Sequence, residues 1–497
     1  MNFQTRTLLQ SVARVALVAH RGPIADQLAR LPSLPVRPVP VARSNVIVPS
    51  VPALPPPLGP TLPELEFFNG IGGFDKDGRE YVSVLDAGRT TPAPWINVIA
   101  NPGFGFHASA DGSGYCWAEN SRDNQLTPWS NDPVGDPPGD ALYIRDEETG
   151  DLWSPTAQPI RGGARYTTRH GFGYSRFEHE THGIATDLLQ YVPLSDPIRI
   201  SRLSLENRSS KPRRLSITAY AEWVLGTARG ASAPFIVTGI DARTGAMLAR
   251  NPWSMAFPGR VAFADLAGRQ TSWTADRTEF LGRDGGIANP AALREKSKLS
   301  GTIGAGFDPC SALQQIVELR AGETIEIVWF LGQSASSEAA ATLIARYRKA
   351  DLDAVLAEVT AHWDSLLGSV QVKTPDRPLD IMLNGWLLYQ ALACRIWARA
   401  GFYQASGAYG FRDQLQDGMA LTFARPAETR RHILRAASRQ FAEGVLAPER
   451  RAVSIVARCK RGDADAHARA QTWLTAEPRS PLVARVRDAC SIEDRSP

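Results

Sequence analysis

The sequence has no long apolar run, few cysteines and little net charge. No stretch of about 18 or more apolar residues occurs, which argues against insertion into a membrane, and the apolar run Val15–Ala19 is too short for a signal peptide. The five cysteines are far apart and include no C-x-x-C pair, so we expect neither a disulfide framework nor a zinc site and favour the cytoplasm. A net charge of +4 on 497 residues argues against nucleic acid as a partner.

The composition, 43% hydrophobic and 21% charged, is that of a multidomain globular chain. Residues 1–64 are predicted to hold a short helix near Leu8–Leu17 and, from residue 24, a linker whose prolines disfavour helices and sheets. Residues 65–332 show short segments of period-two alternation separated by turn residues, which indicates a large antiparallel β-sandwich. Two pairs of consecutive strands are expected there, Ile198–Leu205 with Leu215–Tyr220 and Gln315–Leu319 with Thr324–Phe330.

After Gly332 the apolar spacing becomes helical. Linker helices are predicted over 333–374, one N-capped by Ser337 and running to Arg348, the next spanning Leu352–Leu367. A further helix is expected over Arg377–Arg399, and another from about Asp413.

The segment 402–417 combines aromatic residues and glycines with one arginine and two carboxylates at the start of a helix. Aromatic rings cover the apolar faces of a pyranose, whereas Arg412, Asp413 and Asp417 offer hydrogen-bond donors and acceptors to its hydroxyls. A structural alternative is an Arg-Asp ion pair that ends a helical hairpin.

Gly407–Asp417 resembles the first barrel signature of the inverting glycoside phosphorylases, the glycosyltransferase 36 type that includes cellobiose and chitobiose phosphorylases. It is most similar to the C-terminal region of cyclic β-1,2-glucan synthases and to 1,2-β-oligoglucan phosphorylases. Three upstream segments agree in order: Phe67–Phe74, Pro94–Pro102 and Glu119–Pro133. The resemblance covers roughly residues 64–444.

The resemblance implies a β + α multidomain fold, in which a large N-terminal antiparallel β-sandwich and linker helices precede the first helices of an incomplete (α/α)6 barrel over 375–444. It also implies a β-glucan oligosaccharide as substrate, inorganic phosphate as co-substrate and no other cofactor. Arg412, Asp413 and Asp417, with Tyr409 and Gln416, match residues that hold the donor glucosyl unit. A homodimer, or a partner chain that carries the rest of the barrel, is a further expectation. The glucan synthases are membrane-associated, but no transmembrane segment is expected here.

The loop over 119–133 resembles acceptor-side loops of this family. It contains four candidate binding residues: Arg122, Asn124, Gln125 and Trp129. An equally good interpretation is a proline-anchored sandwich loop whose polar groups are internally satisfied.

The resemblance ends at Gly444, and 445–497 is rich in Arg and Ala with little apolar periodicity. We expect an out-of-family tail, possibly frameshifted; the alternative is a divergent helix over Asp463–Trp473. No catalytic residue is assigned, because the family's general acid and its phosphate-binding residues belong to the region after Gly444 and have no match.

The sequence is compatible with three functions. The first is a fragment of an inverting, phosphate-dependent enzyme acting on β-1,2-glucan that is inactive alone. The second is a non-catalytic carbohydrate-binding or assembly module, and the third is a divergent transferase whose acid is Asp463, Asp465 or Asp488.

Two other patterns give weaker indications of function. His179 and His182 could suggest a metal site, but residues three apart on a strand point to opposite faces, so no metal is expected. Trp95, Trp117, Trp129 and Trp153 could stack on sugars, although burial in a sandwich core is the commoner use of tryptophan.

Overall fold

The computed structural model describes residues 22–29, 63–283, 285–294, 298–408, 411–438 and 448–492. The helix predicted near Leu8–Leu17 and most of the predicted linker lie outside these ranges. Inside the predicted linker, α1 (Ile24–Ala29) is a short helix of the unit Met1–Pro57. It forms where six residues contain no proline, directly after Pro23.

The larger unit, Leu58–Pro497, begins with antiparallel strands. In chain order these are β1 (Gly72–Phe74), β2 (Tyr81–Leu85), β3 (Ile96–Asn101), β4 (Phe104–Ser109), β5 (Gly114–Ala118), β6 (Asp140–Asp146), β7 (Leu152–Trp153), β8 (Tyr166–Gly171), β9 (Tyr174–Thr181), β10 (Ile184–Tyr191), β11 (Ile198–Asn207), β12 (Arg213–Glu222), β13 (Val237–Ile240), β14 (Met247–Arg250), β15 (Val261–Asp265), β16 (Ser272–Asp276), β17 (Pro309–Leu319) and β18 (Thr324–Ser334). They form a ten-stranded sheet in the order β1-β2-β8-β9-β10-β11-β18-β15-β14-β13, a five-stranded sheet β16-β17-β12-β6-β7 and a three-stranded sheet β3-β4-β5. The predicted antiparallel sandwich is confirmed.

All four strands predicted as two consecutive pairs are present, but the two members of a pair are not neighbours in a sheet. β11 and β12 lie in different sheets, and so do β17 and β18. β11 pairs with β10 and β18, whereas β12 pairs with β6 and β17. Leu203 of β11 and Ile217 of β12 therefore meet in one core from opposite sides. Two consecutive strands show the same period-two alternation whether they pair within one sheet or lie in two sheets that face each other. The alternation therefore could not decide between these arrangements.

The helices that follow largely agree with the sequence. α2 (Arg229–Ser232) and α3 (Arg277–Leu281) are short helices within the sandwich; after it come α4 (Ser337–Tyr347), α5 (Leu352–Leu367), α6 (377–398), α7 (Phe411–Gly418) and α8 (Pro426–Ala437). The N-cap of α4 is Ser336 and not the predicted Ser337, because the Ser336 side chain accepts from the backbone N–H of Ala339. Two stretches of α6, Met382–Trp386 and Ala391–Ala398, are π-helical.

An aromatic cluster joins the sandwich to α5 and α6. The Trp363 ring lies 4.6 Å from the Tyr389 ring and 5.5 Å from the Trp397 ring, measured between centroids. Gly173, in the turn between β8 and β9, has φ +86°, and a Cβ there would lie 2.5 Å from Trp363 Nε1. Only glycine permits this approach of the sandwich backbone to the helical layer.

Residues 448–492 form three helices, α9 (Pro448–Arg461), α10 (Ala466–Ala476) and α11 (Val483–Ala489). Although the sequence of this region shows little apolar periodicity, Ile455, Trp473 and Val486 share a small core. α10 occupies the stretch for which a divergent helix was the alternative. The expectation of no disulfide was wrong: Cys459 and Cys490 are bonded to each other, a pairing that their separation of 31 residues did not reveal.

No helix within the described ranges combines the length and the apolar composition that a bilayer crossing requires.

Three buried histidines predict loss of stability in acid. Burial lowers the pKa of His107 to about 3 and those of His170 and His179 to about 4. Between those values and the ordinary 6.5, the unfolded chain binds protons that the folded chain does not. The free energy of unfolding should therefore fall as the pH drops from about 6.5 to 4, which urea unfolding at a series of pH values would measure.

One group opposes this trend. Burial raises the pKa of Asp136 to about 6, so its contribution is present at low pH and is lost as the pH rises from about 4 through 6. We expect the histidines to dominate, and His107→Phe to flatten the slope. The same change at exposed His467 is the control. Equal slopes for the His107 variant and the parent would contradict the assignment.

Candidate functional site

A cavity of about 640 Å³ lies where the sandwich meets the helices. Its walls are β3, the second half of α6, the segment 399–408 and the start of α7. Its aromatic lining is Trp386, Tyr389, Phe402 and Tyr403. Its polar lining is Asn97, Gln390, Arg395, Arg399, Gln404, Ser406, Asp413 and Gln414. Apolar rings with a few convergent polar groups are typical of a small-molecule site.

The floor of the cavity is a hydrogen-bonded joint between sandwich and helix. The Tyr389 hydroxyl lies 2.9 Å from Asn97 Oδ1 and 3.0 Å from the carbonyl of Val98, and it accepts from the backbone N–H of Gly173. Burial raises the pKa of Tyr389 well above its ordinary value, so the hydroxyl keeps its proton and donates. The Asn97 amide donates in turn to the carbonyls of Gly171 and Tyr174. Both side chains are therefore fixed before any ligand arrives.

The rim begins where α6 ends. Arg399 has φ +50° and ψ +42°, a left-handed conformation that stops the helix. Its carbonyl accepts from the backbone N–H groups of Ser406 and Gly407, both at 3.1 Å, and from the Ser121 hydroxyl at 3.3 Å. Between them runs a two-stranded hairpin of β19 (Ala400–Gly401) and β20 (Gln404–Ala405). The hairpin carries Phe402 and Tyr403 at its tip.

A sandwich loop closes against this hairpin. The Asn120 amide donates to the carbonyl of Gly407 at 3.0 Å, and its Oδ1 accepts from the backbone N–H groups of Arg122 and Asp123. Gly407 has φ +59°, and a Cβ there would lie 1.9 Å from Asn120 Oδ1. The loop after β5 thus fixes part of the cavity wall.

Replacing Gly407 with alanine should loosen this wall. Left-handed backbone costs a non-glycine residue roughly 1–2 kcal/mol, and Asn120 must also move. We expect faster amide hydrogen exchange at residues 406 and 407. Gly401→Ala in the same hairpin is the matched control, because nothing lies within 4 Å of an added Cβ there. Equal exchange in both variants would refute the steric argument.

The predicted donor-side residues are not all in one place. Asp413 lines the cavity, and its Oδ1 lies 3.3 Å from Arg412 Nε in an exposed pair. Asp417 is held by Arg395, Nε to Oδ2 2.8 Å, and Gln416 is exposed. Tyr409 lies outside the described residues. The roles of these residues in sugar binding stay predictions.

Several lining residues were missed by sequence reasoning. Arg395 and Arg399 come from the end of α6, and the buried Gln414 donates from Nε2 to the carbonyl of Ala408. Asn97 lies inside the quoted segment Pro94–Pro102, which was the available signal. The arginines carried none, because a charge on an apolar helix is ordinarily solvated.

The four candidates in the 119–133 loop are not in the lining, as far as the described chain shows. Asn124 and Gln125 are buried, with amides that donate to the carbonyls of Ala118 and Thr227 respectively. Arg122 is exposed and Trp129 is half-buried against the core beside β3. Asn124 and Gln125 are thus hydrogen-bonded within the sandwich, while the neighbouring Asn120 and Ser121 contact the rim.

Neither histidine of the weak metal pattern has metal-like surroundings. The His179 ring stacks on Tyr166 and the His182 ring on Trp153. His182 lies in the turn after β9, at φ +53°, and not on the strand as expected. The described residues contain no cluster of three or more metal-ligating side chains.

Comparison with known proteins places two domains along the chain. Residues 79–350 match the supersandwich domain of glycosyl hydrolase 94, and residues 362–471 match the catalytic domain of the glycosyl hydrolase 94 superfamily. The second match extends past Gly444, where the sequence analysis ended the resemblance.

Three relatives match most of the chain. Cyclic beta-(1,2)-glucan synthase NdvB of Rhizobium meliloti is 42% identical over 449 residues, 89% of this chain and 16% of that protein. N,N'-diacetylchitobiose phosphorylase of Vibrio furnissii is 30% identical over 73% of this chain and 46% of its own length. Solabiose phosphorylase of Paenibacillus borealis is 29% identical over 76% and 48% respectively. The chain therefore spans less than half the length of each.

Proposed function

Since this chain belongs to the glycosyl hydrolase 94 family, we propose that it provides the sandwich and the donor-side sugar pocket of an inverting, phosphate-dependent enzyme acting on β-1,2-glucan. We propose further that it does not turn over alone. The resemblance to the glucan synthase suggests the β-1,2 linkage.

The cavity at the joint between sandwich and helices carries the proposal. It combines four aromatic rings with amide, carboxylate and guanidinium groups, and its volume of about 640 Å³ is within the ordinary range of ligand pockets. Tyr389 and Asn97 are hydrogen-bonded to each other at the floor of the cavity, so the floor needs no rearrangement to receive a sugar ring. Asp413 offers carboxylate oxygens to the hydroxyls of the sugar.

An inverting phosphorolysis needs one acid and one nucleophile on opposite faces of the sugar. A carboxylic acid gives its proton to the glycosidic oxygen, the bond from that oxygen to the anomeric carbon breaks, and a phosphate oxygen forms the new bond from the other face. The products are glucose 1-phosphate and a glucan one unit shorter. In this reaction inorganic phosphate is a co-substrate and no cofactor is needed.

The residues of this chain are better suited to binding a sugar than to protonating its glycosidic oxygen. Asp417 accepts from Arg395, and among the described lining residues Asp413 is the single carboxylate. Asp463 and Asp465 fall inside the matched catalytic range but pair with arginines of the last helices. These pairs support a chain that binds sugar without cleaving it.

A second candidate is a non-catalytic module that pairs with a partner chain or with its own copy. The exposed apolar stripe of α6 favours it, because Leu379, Leu383 and Leu387 recur every four residues and are each more than two fifths exposed. An apolar stripe of this kind is typical of a surface that another element covers.

The test is phosphorolysis and binding on the same preparation. With β-1,2-gluco-oligosaccharides and phosphate we expect no glucose 1-phosphate, but measurable binding by calorimetry. Asp413→Asn should weaken that binding about tenfold, because a charged hydrogen bond contributes about 1.5–3 kcal/mol. Asp123→Asn, an exposed carboxylate outside the lining, is the control.

Two results would overturn the proposal. Glucose 1-phosphate formed by the parent chain and lost in Asp465→Asn would make it a divergent transferase. Equal binding by the Asp413 variant and the parent would remove the cavity as the sugar pocket.

A further inference from the structure

One tryptophan of the sandwich differs from all the others in its exposure. The chain contains 12 tryptophans, and Trp253 alone has most of its surface exposed, at 69%. Its ring stacks on Phe235 with centroids 5.3 Å apart and an interplanar angle of 13°. One face of the indole is covered by Phe235, and the outer face is open to solvent.

The turn that carries Trp253 is held from both sides by one amide. Asn251 Oδ1 accepts from the backbone N–H of Trp253 at 3.1 Å, and Asn251 Nδ2 donates to the carbonyl of Leu225 at 2.8 Å. The ring beneath it is fixed as well, because Phe235 ends a short helical turn, Ala233–Phe235, that follows α2 directly. The Trp253 ring is therefore held in a fixed position. It exposes apolar surface that most proteins bury.

Contacts connect this ring to the cavity. The loop from Trp253 ends at Arg260, which donates to Glu119 Oε1 at 2.9 Å. The carbonyl of the same Glu119 accepts from the cavity-lining Arg399 at 3.3 Å. A second set of hydrogen bonds runs from Asn251 to Leu225, beside which Gly226 exchanges backbone hydrogen bonds with Gln125, a residue of the loop that contacts the rim through Asn120 and Ser121.

We propose that Trp253, supported by Phe235, is a stacking platform for a glucosyl unit of a longer β-glucan chain, separate from the cavity. The proposal rests on the proposed function for the identity of the ligand. The open indole face matches the apolar C–H face of a pyranose, as flat aromatic rings do in sugar sites. A binding point connected to the pocket would raise the effective concentration of a long chain at the pocket.

The size of the patch favours a sugar over a second protein. Its stacked aromatic pair is Trp253 and Phe235, and an aromatic side chain offers only about 150–250 Å². A specific protein interface covers about 800 Å² on each partner. A single pyranose ring needs no more than the open face of the indole.

The experiment compares binding of a β-1,2-linked glucose heptasaccharide by calorimetry in the parent chain, Trp253→Ala and Trp253→Phe. We expect Trp253→Ala to weaken binding at least about fivefold, and Trp253→Phe to retain most of it. Phe68→Ala is the matched control: it removes another exposed aromatic, from just before β1, at the opposite edge of the ten-stranded sheet.

The outcomes separate the platform from the pocket. Binding that is unchanged in Asp413→Asn but weakened in Trp253→Ala supports the platform while the pocket fails. Unchanged affinity in Trp253→Ala overturns the platform, and so does a parent chain that binds no heptasaccharide. A Trp253→Ala variant that alters only the oligomeric state, measured by light scattering, overturns it too and assigns the patch to a second copy.

Discussion

Truncation of Arg199 to alanine should lower the free energy of unfolding by about 3–5 kcal/mol. Arg199, on β11, makes a two-pronged pair with Asp140: Nη2 to Oδ1 is 2.7 Å and Nη1 to Oδ2 is 3.1 Å. Both side chains are almost fully buried, 3% and 10% exposed, and the guanidinium also lies over the rings of Phe106 and Trp329. Removing the cation leaves a buried carboxylate without its partner, which is the costly state. Reversible urea unfolding would measure the loss.

The controls separate burial from charge. Replacing both partners, with Arg199→Met and Asp140→Leu together, should recover much of the loss, because apolar pairs often substitute for buried ion pairs at little cost. Arg208→Ala removes the exposed half of a pair with Glu180 and should change stability by less than about 1 kcal/mol. A loss below that size for Arg199→Ala would show that water reaches Asp140.

Trp363→Ala should cost a similar amount, about 3–5 kcal/mol, through the space it leaves. Trp363 is 2% exposed and touches aromatic rings of α6 as well as the turn at Gly173. The loss therefore falls on the packing of α5 against α6 and on the contact of both with the sandwich. We expect limited proteolysis to cut the helical region first, while the sandwich, whose own core is intact, persists as a fragment.

Phe423→Ala is the control for this variant, because Phe423 is 85% exposed and its removal should change stability by no more than about 0.5 kcal/mol. Simultaneous cleavage of sandwich and helices in the Trp363 variant would mean that the two unfold as one unit, contrary to the expectation.

The sequence allowed the layers to be predicted but not how they combine. Period-two alternation located the strands, and apolar spacing located α5 to the residue. Neither pattern reports which strands pair, and β11 and β12, which are consecutive in the chain, lie in opposite sheets. Which strands pair is decided by contacts between residues far apart in the chain.

The candidate site shows the same limit. Asp413 was expected in a sugar pocket because its neighbours along the chain are aromatic and polar, and it lines the cavity. Its role in binding stays a prediction. Arg395 was not considered, since its partner Asp417 lies 22 residues away on another helix, and the Cys459–Cys490 bond escaped notice for a similar reason. Local patterns identify side chains with suitable chemistry, whereas only folding decides which of them meet.

The carbonyl of Arg399 accepts hydrogen bonds from both sides of the boundary that divides sandwich from helices. The boundary between strands and helices in the chain is therefore not a boundary of the pocket, whose wall contains residues from both regions. A helical region excised at residue 335 would lose Asn97, Asn120 and Ser121 together, and the cavity could not be studied apart from the sandwich. Exchange of sandwiches between relatives should accordingly transfer part of the pocket wall along with the supporting layer.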